Sequence, residues 1–563
     1  MAKKINYDDW SKDELIKEIT RIKETTYGLV WHRDLPEEKI DVLINPDART
    51  PNELFPNEMA GKPFPVLKEV SSKAVDTKGA EQTNILIEGD NYHSLAVLNF
   101  THQAAVDLIY IDPPYNTGNK DFTYNDTLVD KEDPFRHSKW LAFMERRLKL
   151  SKNLLTQKGV IFMSIDENEF AQLKMLADEI FDERNYVMDV IWNSRKSVSS
   201  DAIISLNHNH TLVYAKDMEF LREQIRKGGR FKLPTNEEKF SNPDNDPRGA
   251  WTADPFEAAG VRKNLSYTIT NPNTGEKYLP VKGRHWAVLE SEYERLLKDN
   301  RMVFGKSGNG KPQRKRFLSE AMEKGLTPKS IWDDVGTTTN GTQELEEILG
   351  EKKFSNPKPV SLIKRILELA TDKDSVVLDF MAGSGTTGHA VLALNKEDGG
   401  NRRFVLCTNN ENEICSDVCY PRIKKIIKGY TSTKGEKVVG LGGNLKYYTC
   451  DFVEAEPSDK NKRKLVNEST DMLCIREAAF DLVKEGEDFK IFKNSDTHLG
   501  IVFHEDAIED YKKVIKKIDG HFNTYVFSLG DEPHEKEFED IKNKVTLCAI
   551  PEVILKVYRE IFK

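Results

Sequence analysis

A chain of 563 residues is too long for one hydrophobic core and implies several folding units. With 38% hydrophobic and 31% charged residues it has material for packed cores, and no run approaches the roughly 18 to 20 apolar residues that a membrane span needs. Six cysteines without CxxC spacing argue against a disulfide scaffold or structural zinc, and the start MAKKINYDDW lacks an apolar signal core, so we expect a cytoplasmic protein with buried thiols and no metal.

The formal net charge of −9 does not favour a polyanionic partner, but association follows the local field and not the total. Between Arg301 and Ser330 eight Lys or Arg stand against two Glu, whereas Asp531 to Asp540 holds six acids and one Lys, so basic and acidic regions are separate. In chain order, Ser11 and Glu14 have capping-box spacing, and Leu15, Ile19 and Ile22 share a face, which predicts a helix from residue 11 to 31 suited to docking. The Pro- and Asn-rich run from Asp34 to Pro65 reads as a connecting arm. From Asn84 the short apolar runs ILIEG, LIYID and GVIFMSID, separated by helix-length stretches, predict α/β structure with parallel strands.

After Trp192 the rhythm gives way to polar, Gly-, Asn- and Pro-bearing sequence as far as about Gly336. It then returns in SLIKRILELA (helix), SVVLDFMAGSGTTGHAVLAL (strand, glycine turn, helix) and RRFVLCTNNE (strand). Each half alone has too few strands for a covered sheet, so one parallel sheet with an insert is expected. From about Leu441 strands such as HLGIVF and NTYVFSL suggest a further small α/β domain. The expected boundaries are an N-terminal helical arm at 1–65, the two parts of the main domain at 66–192 and 337–440, the insert at 193–336 and a C-terminal domain at 441–563.

Two motifs carry chemistry. Asp112-Pro113-Pro114-Tyr115 follows the strand LIYI, where parallel-sheet proteins hold ligands. Two prolines stiffen the loop and remove N–H donors, so Asp112 and the Pro113 carbonyl are free to accept both hydrogens of an exocyclic –NH2. Held in this way, the nitrogen lone pair of a delocalised aromatic amine is directed at a methyl donor. Tyr115 offers a ring on which an extruded base stacks. The alternative is an ordinary strand-ending turn. The second motif, Asp379-Phe380-Met381-Ala382-Gly383-Ser384-Gly385-Thr386-Thr387, follows SVVL and opens a helix whose first N–H groups suit a carboxylate. Its spacing is neither GxGxxG nor GxxxxGK[ST], which argues against a dinucleotide or a nucleotide triphosphate.

With IDPPYNTG, GVIFMSIDENE, RGAWTADPFEAAG, SIWDDVG, FSNPKPVSLIKRIL and LDFMAGSGTT in this order, the chain resembles the permuted (beta-class) amino-methyltransferases of DNA from about Asn84 to its C-terminus. Within that group it is similar to the modification subunit of type III restriction-modification systems. The resemblance implies a Rossmann-like, mostly parallel seven-stranded sheet that binds S-adenosylmethionine, with a target-recognition insert. It also implies methyl transfer to adenine N6 in double-stranded DNA, a homodimer, and association with a helicase-nuclease subunit. Cytosine N4 as the target, and a catalytically silent DNA-binding subunit, are the alternatives.

On this resemblance Asp112, Pro113, Pro114 and Tyr115 form the base-amine loop, and Asp379, Met381, Ala382, Gly383, Ser384, Gly385 and Thr386 the cofactor loop. Met381 stands where the family usually has Phe. Lys358 and Pro359 match a segment near the methionine end of the cofactor, and Asp90 a Gly-Asp position near its adenine ring, although a helix N-cap serves Asp90 equally well. Asn409 and Glu411 are the polar groups nearest the expected ribose site. In the insert, Arg195, Lys196, Lys311, Arg314, Lys315 and Arg316 are candidates for DNA contact, the run KPQRKR being otherwise a solvated face.

Overall fold

The computed structural model describes residues 10–13, 15–17, 31, 38, 40–48, 61–77, 83–118, 123–124, 127–128, 133–200, 202–227, 230–305, 307–454, 456, 458–494, 497–528, 534–550, 554 and 557. At the expected first helix, Leu15 N–H donates to Ser11 O at 3.0 Å. Glu14, Ile19 and Ile22 lie outside the described residues, as do most of the arm and of the last thirteen positions.

Ten strands form one sheet. They are β1 (Phe64–Glu69), β2 (Thr83–Glu88), β3 (Val106–Ile111), β4 (Leu155–Ile165), β5 (Tyr186–Asn193), β6 (His208–Ala215), β7 (Ile331–Trp332), β8 (Val376–Asp379), β9 (Arg403–Thr408) and β10 (Asn444–Val453). Their spatial order is β1-β10-β2-β9-β8-β3-β4-β6-β5-β7. The seven contiguous strands from β2 to β5 make the expected mostly parallel sheet, in which only β6 runs against the rest. β10 and β1 extend one edge, and β7 the other.

The central strands are buried on both faces: all six residues of β3, VDLIYI, are buried, and its one charged residue, Asp107, accepts a hydrogen bond from the Thr156 hydroxyl at 3.0 Å. Helices α1 (Asn91–Thr101), α2 (Arg136–Leu154) and α3 (Phe170–Phe181) pack side by side, and their Leu95, Trp140 and Leu173 join Ile109 and Ile161 in one core. The other face takes α4 (Thr338–Leu349), α5 (Val360–Ala370), α6 (Thr386–Asp398) and α7 (Tyr420–Lys428). There Gly388 of α6 sits so close to Leu406 and Phe404 of β9 and Ile423 of α7 that a methyl group would meet all three.

The chain runs from β3 through α2 to β4 on one side, and from β8 through α6 to β9 on the other. β3 and β8 are adjacent and parallel, Leu108 beside Val377 and Ile109 beside Leu378. Strand order therefore reverses between them, and the loops that follow both strands open into the crevice where such sheets hold ligands.

The separate compact unit is 224–329, narrower than the insert expected from the sequence. β6 lies within that expected insert, yet it pairs with β4 and β5 in the main sheet. Its opening His208-Asn209-His210 gave no apolar run to reveal it. The 224–329 unit has its own core of Phe256, Ile269, Trp286, Tyr293 and Leu296 and a three-stranded antiparallel sheet. Likewise β10 belongs to the main sheet, and the C-terminal five-stranded sheet starts only at Asp481. Among the described residues no helix is long and apolar enough to cross a membrane, and no cluster of His, Cys, Asp or Glu could hold a metal.

Candidate active site

Asp112 begins the loop after β3, and Trp140 of α2 fixes that loop from below by donating its indole N–H to the Pro114 carbonyl at 2.7 Å. Asn116 adopts a left-handed backbone (φ 56°), and its amide donates to the buried Glu169 carboxylate at 2.5 Å and to Arg136 O at 3.3 Å. Burial raises the pKa of Glu169 above the ordinary carboxylate value, and His137 Nδ1 lies 2.7 Å from the same carboxylate oxygen. The stiffness read from two prolines is thus reinforced by a ring of hydrogen bonds. Asp112 Oδ1 and the Tyr115 hydroxyl are buried without a hydrogen-bond partner of good geometry, and burial together with the neighbouring Asp112 charge raises the Tyr115 pKa. A buried unpaired acceptor is costly unless something arrives to satisfy it.

The glycine turn after β8 comes up beside this loop. Gly383 (φ 48°) and Gly385 (φ 76°) take backbone that side chains disfavour; a Cβ would stand 3.1 Å from the Phe354 ring at the first and 3.0 Å from Cys419 Sγ at the second. Asp379 is buried at the strand end, accepting from Met381 N–H at 3.0 Å and from the Thr387 hydroxyl at 2.5 Å. Burial, with the nearby charge of Asp112 adding to it, pushes its pKa up to about 7. Arg422 of α7 is wholly buried and donates to Ser384 O, Ser384 Oγ and the Thr386 hydroxyl at 3.3, 3.2 and 2.8 Å. It clamps the turn from behind, and burial lowers its pKa to about 10.

Lys358 joins the two loops. Its carbonyl accepts from the Thr386 hydroxyl at 3.2 Å, and its ammonium reaches Asp112 Oδ2 at 2.5 Å and lies 5.1 Å from the centre of the Tyr115 ring. Lys358 and Asp112 are 246 residues apart in the chain. The lysine expected near the donor end of the crevice is therefore the counter-ion of the acid expected to hold the amine.

The other expected positions fall as follows. Pro359 is the N-cap residue of α5. Met381 is half-buried at the turn, with Ala382 N–H donating to Cys407 O at 3.1 Å. Asp90 caps α1, accepting from Tyr92 N–H at 2.7 Å, and pairs with the buried Arg147 at 3.2 Å. Gly89 N–H donates to Thr408 O at 3.0 Å, so Asp90 and Asn409 extend from neighbouring strand ends. Glu411 is exposed in a short 3-10 turn.

Among the basic candidates Arg195, Lys196, Lys311 and Arg314 are exposed. Lys315 requires a correction. It is fully buried, with its ammonium 2.5 Å from Asp244 and 3.0 Å from Asp246, so no phosphate reaches it in this structure. The run KPQRKR lies on a strand, Pro312–Phe317, and strand alternation turns Lys315 and Phe317 inward while Arg314 faces out. Arg316 is half-buried and paired with Asp254 at 3.0 Å. Trp140, Glu169, Phe354 and Arg422 were not singled out from the sequence, since each acts through a partner far away in the chain.

A family model described as "DNA methylase" matches residues 106–419. The Mod subunit of the type III restriction-modification enzyme StyLTI of Salmonella typhimurium is 40% identical over 381 residues, which cover 61% of this chain and 55% of that protein. The Mod subunit of the type III enzyme EcoPI of Escherichia phage P1 is 30% identical over 467 residues, 70% of each chain. The type II methyltransferase M.KpnI of Klebsiella pneumoniae is 31% identical over 396 residues, 65% of this chain and 90% of that one. The matched part thus spans only about half the length of the StyLTI subunit. The family match takes in more than half of the chain, including Asp112, Lys358 and the whole glycine turn, and the chain belongs to the DNA methylase family.

Proposed function

We propose that the chain transfers a methyl group from S-adenosylmethionine to adenine N6 in double-stranded DNA, as the modification subunit of a type III restriction-modification system. The observation that carries this reading is the Lys358 bridge, which ties a loop built to accept amine hydrogens to a loop built to approach a ligand with bare backbone. The residues fit the cofactor: Gly383 and Gly385 hold the turn in positive-φ backbone without side chains, and Asp112 Oδ1 and the Tyr115 hydroxyl are buried without a partner of good geometry.

S-adenosylmethionine, when bound, supplies a methyl group on a cationic sulfur. The turn from Asp379 to Thr386 would hold it, with Lys358, Pro359 and Met381 at its methionine end and Asp90, Asn409 and Glu411 towards its adenosine end. Asp112 and the Pro113 carbonyl accept the two amine hydrogens, and Asp112 Oδ1 takes the proton the nitrogen loses. Tyr115 stacks the base, and Pro114, pinned by Trp140, keeps the loop from relaxing. The family resemblance favours adenine over cytosine, because Asp and not Ser precedes Pro-Pro-Tyr. The exposed Arg195, Lys196, Lys311 and Arg314 contact DNA, with the 224–329 unit supplying target recognition, the ten-stranded sheet and its helices the methyltransferase domain, and the C-terminal five-stranded sheet protein contacts.

A homodimer, a helicase-nuclease partner and a cytoplasmic setting complete the reading. The likeness to M.KpnI favours a second version in which the chain methylates without such a partner. Labelled methyl transfer to DNA tests the core of the proposal: Asp112→Ala abolishes it while DNA binding persists. Equal transfer by that variant rejects the role of Asp112.

A further inference from the structure

The methyl-transfer chemistry leaves unused one loop on the same edge of the sheet. β5 and β6 pair antiparallel, with Asn193 opposite His208, and the connection between them leaves the edge from which the Asp112 and Asp379 loops also rise. Its neck is tied. Arg195 N–H donates to Asn207 O at 3.1 Å, the Asn207 amide donates to Arg195 O at 3.1 Å and Ser197 O at 3.0 Å, and Ser199 N–H donates to Ser205 Oγ at 3.0 Å. Beyond the closed neck Val198, Ile204 and Ile203 face water, 77%, 81% and 104% exposed. Three branched aliphatic side chains held in solvent on one short loop mark a contact surface.

Beside the neck opens a cavity of about 560 Å³. Arg195 and Lys196 enter it from the loop, Thr339 and Gln343 from the start of α4, and Asn356 from the segment that leads to Lys358; no carboxylate among the described residues lines it. Neither cation has a carboxylate partner among the described residues. Two free cations with hydroxyl and amide donors suit a phosphodiester. Asn356 is two residues from Lys358, so their Cα atoms are at most about 7 Å apart and one short segment joins the cavity wall to the Asp112 site. β5 stands three strand spacings, roughly 14 Å, from β3.

We infer that this loop is a duplex-opening wedge: Ile203 and Ile204 enter the base stack where the target nucleotide leaves it, and Arg195 and Lys196 hold the adjoining phosphodiester in the cavity. The inference rests on the methyl-transfer reading. Extruding a base costs stacking and pairing, and burying two exposed isoleucines in the gap offsets that loss, as apolar wedges do in kinked duplexes.

The test first maps methylated bases in plasmid DNA replicated with the full chain, which locates the site. With a duplex bearing that site, the double variant Ile203→Ser with Ile204→Ser methylates at least about tenfold more slowly. It also loses the fluorescence rise of 2-aminopurine placed at the target. Its rate recovers when the target base faces an abasic position and is already unpaired. Arg195→Gln with Lys196→Gln makes the slope of log affinity against log salt shallower by about one to two. Both isoleucines are exposed, so serine there leaves the core intact. Parental rates on the paired duplex, or slow rates on both duplexes, overturn the wedge. Absence of any mapped methylation overturns the methyl-transfer reading beneath it.

Discussion

Asp379 is a carboxyl group whose charge the fold resists. In the unfolded chain it titrates in the ordinary carboxylate range, and burial moves it to about 7 in the folded protein. The native state therefore holds a proton between these values that the unfolded state has released. The stabilisation is complete below about pH 4 and is lost as pH rises through 7. Asp379→Asn removes this titration. In urea unfolding of the ligand-free protein from pH 5 to 8, stability of the parent falls relative to the variant; parallel curves would contradict the buried-acid account. Asp112 to Tyr115 and Gly383 to Thr386 were legible in the sequence because each motif is contiguous and follows an apolar run. The Lys358–Asp112 pair was not, because nothing local signals a partner 246 residues away. Lys315 was misread because charge was counted without asking which face of a strand it occupied.

The glycine turn is a rigid element, set by backbone sign at one end and by Arg422 behind it. Gly385→Ala forces a side chain into left-handed backbone, a penalty of about 1 to 3 kcal/mol, and brings its methyl to 3.0 Å from Cys419 Sγ. Calorimetry should show S-adenosylmethionine binding weakened by about tenfold or more with the duplex affinity unchanged; unaltered cofactor affinity would mean that the turn does not contact it. Elements with continuous apolar runs, such as β3 and β4, could be read directly. β6 and β7 could not, since a strand opening His-Asn-His and a two-residue strand carry too little pattern, and only pairing with β4 and β5 defines them.

The chain as a whole divides into a sheet-bearing unit and the 224–329 unit, each with a core of its own. Replacing 224–329 with a short flexible linker should therefore leave cooperative thermal unfolding and S-adenosylmethionine binding in place while abolishing methylation at the mapped DNA sites. Loss of cofactor binding in that protein would show that the division misses a dependence between the parts. The alternation of α/β and polar sequence revealed that an insert exists; its edges needed the sheet.

The neighbourhood of β3 and β8 has a consequence for biosynthesis. These strands are about 270 residues apart, so at about 5 to 20 residues per second the ribosome takes roughly 13 to 54 s after making β3 to deliver its partner. Throughout that interval the nascent first half carries an open strand edge, with the backbone N–H and C=O groups of β3 unpaired on that side and its Leu108, Ile109 and Ile111 side chains still without the helices of the other half. Early chain arrest, or a shortage of holding chaperones, should cause its aggregation before the crevice between the two strands ever exists.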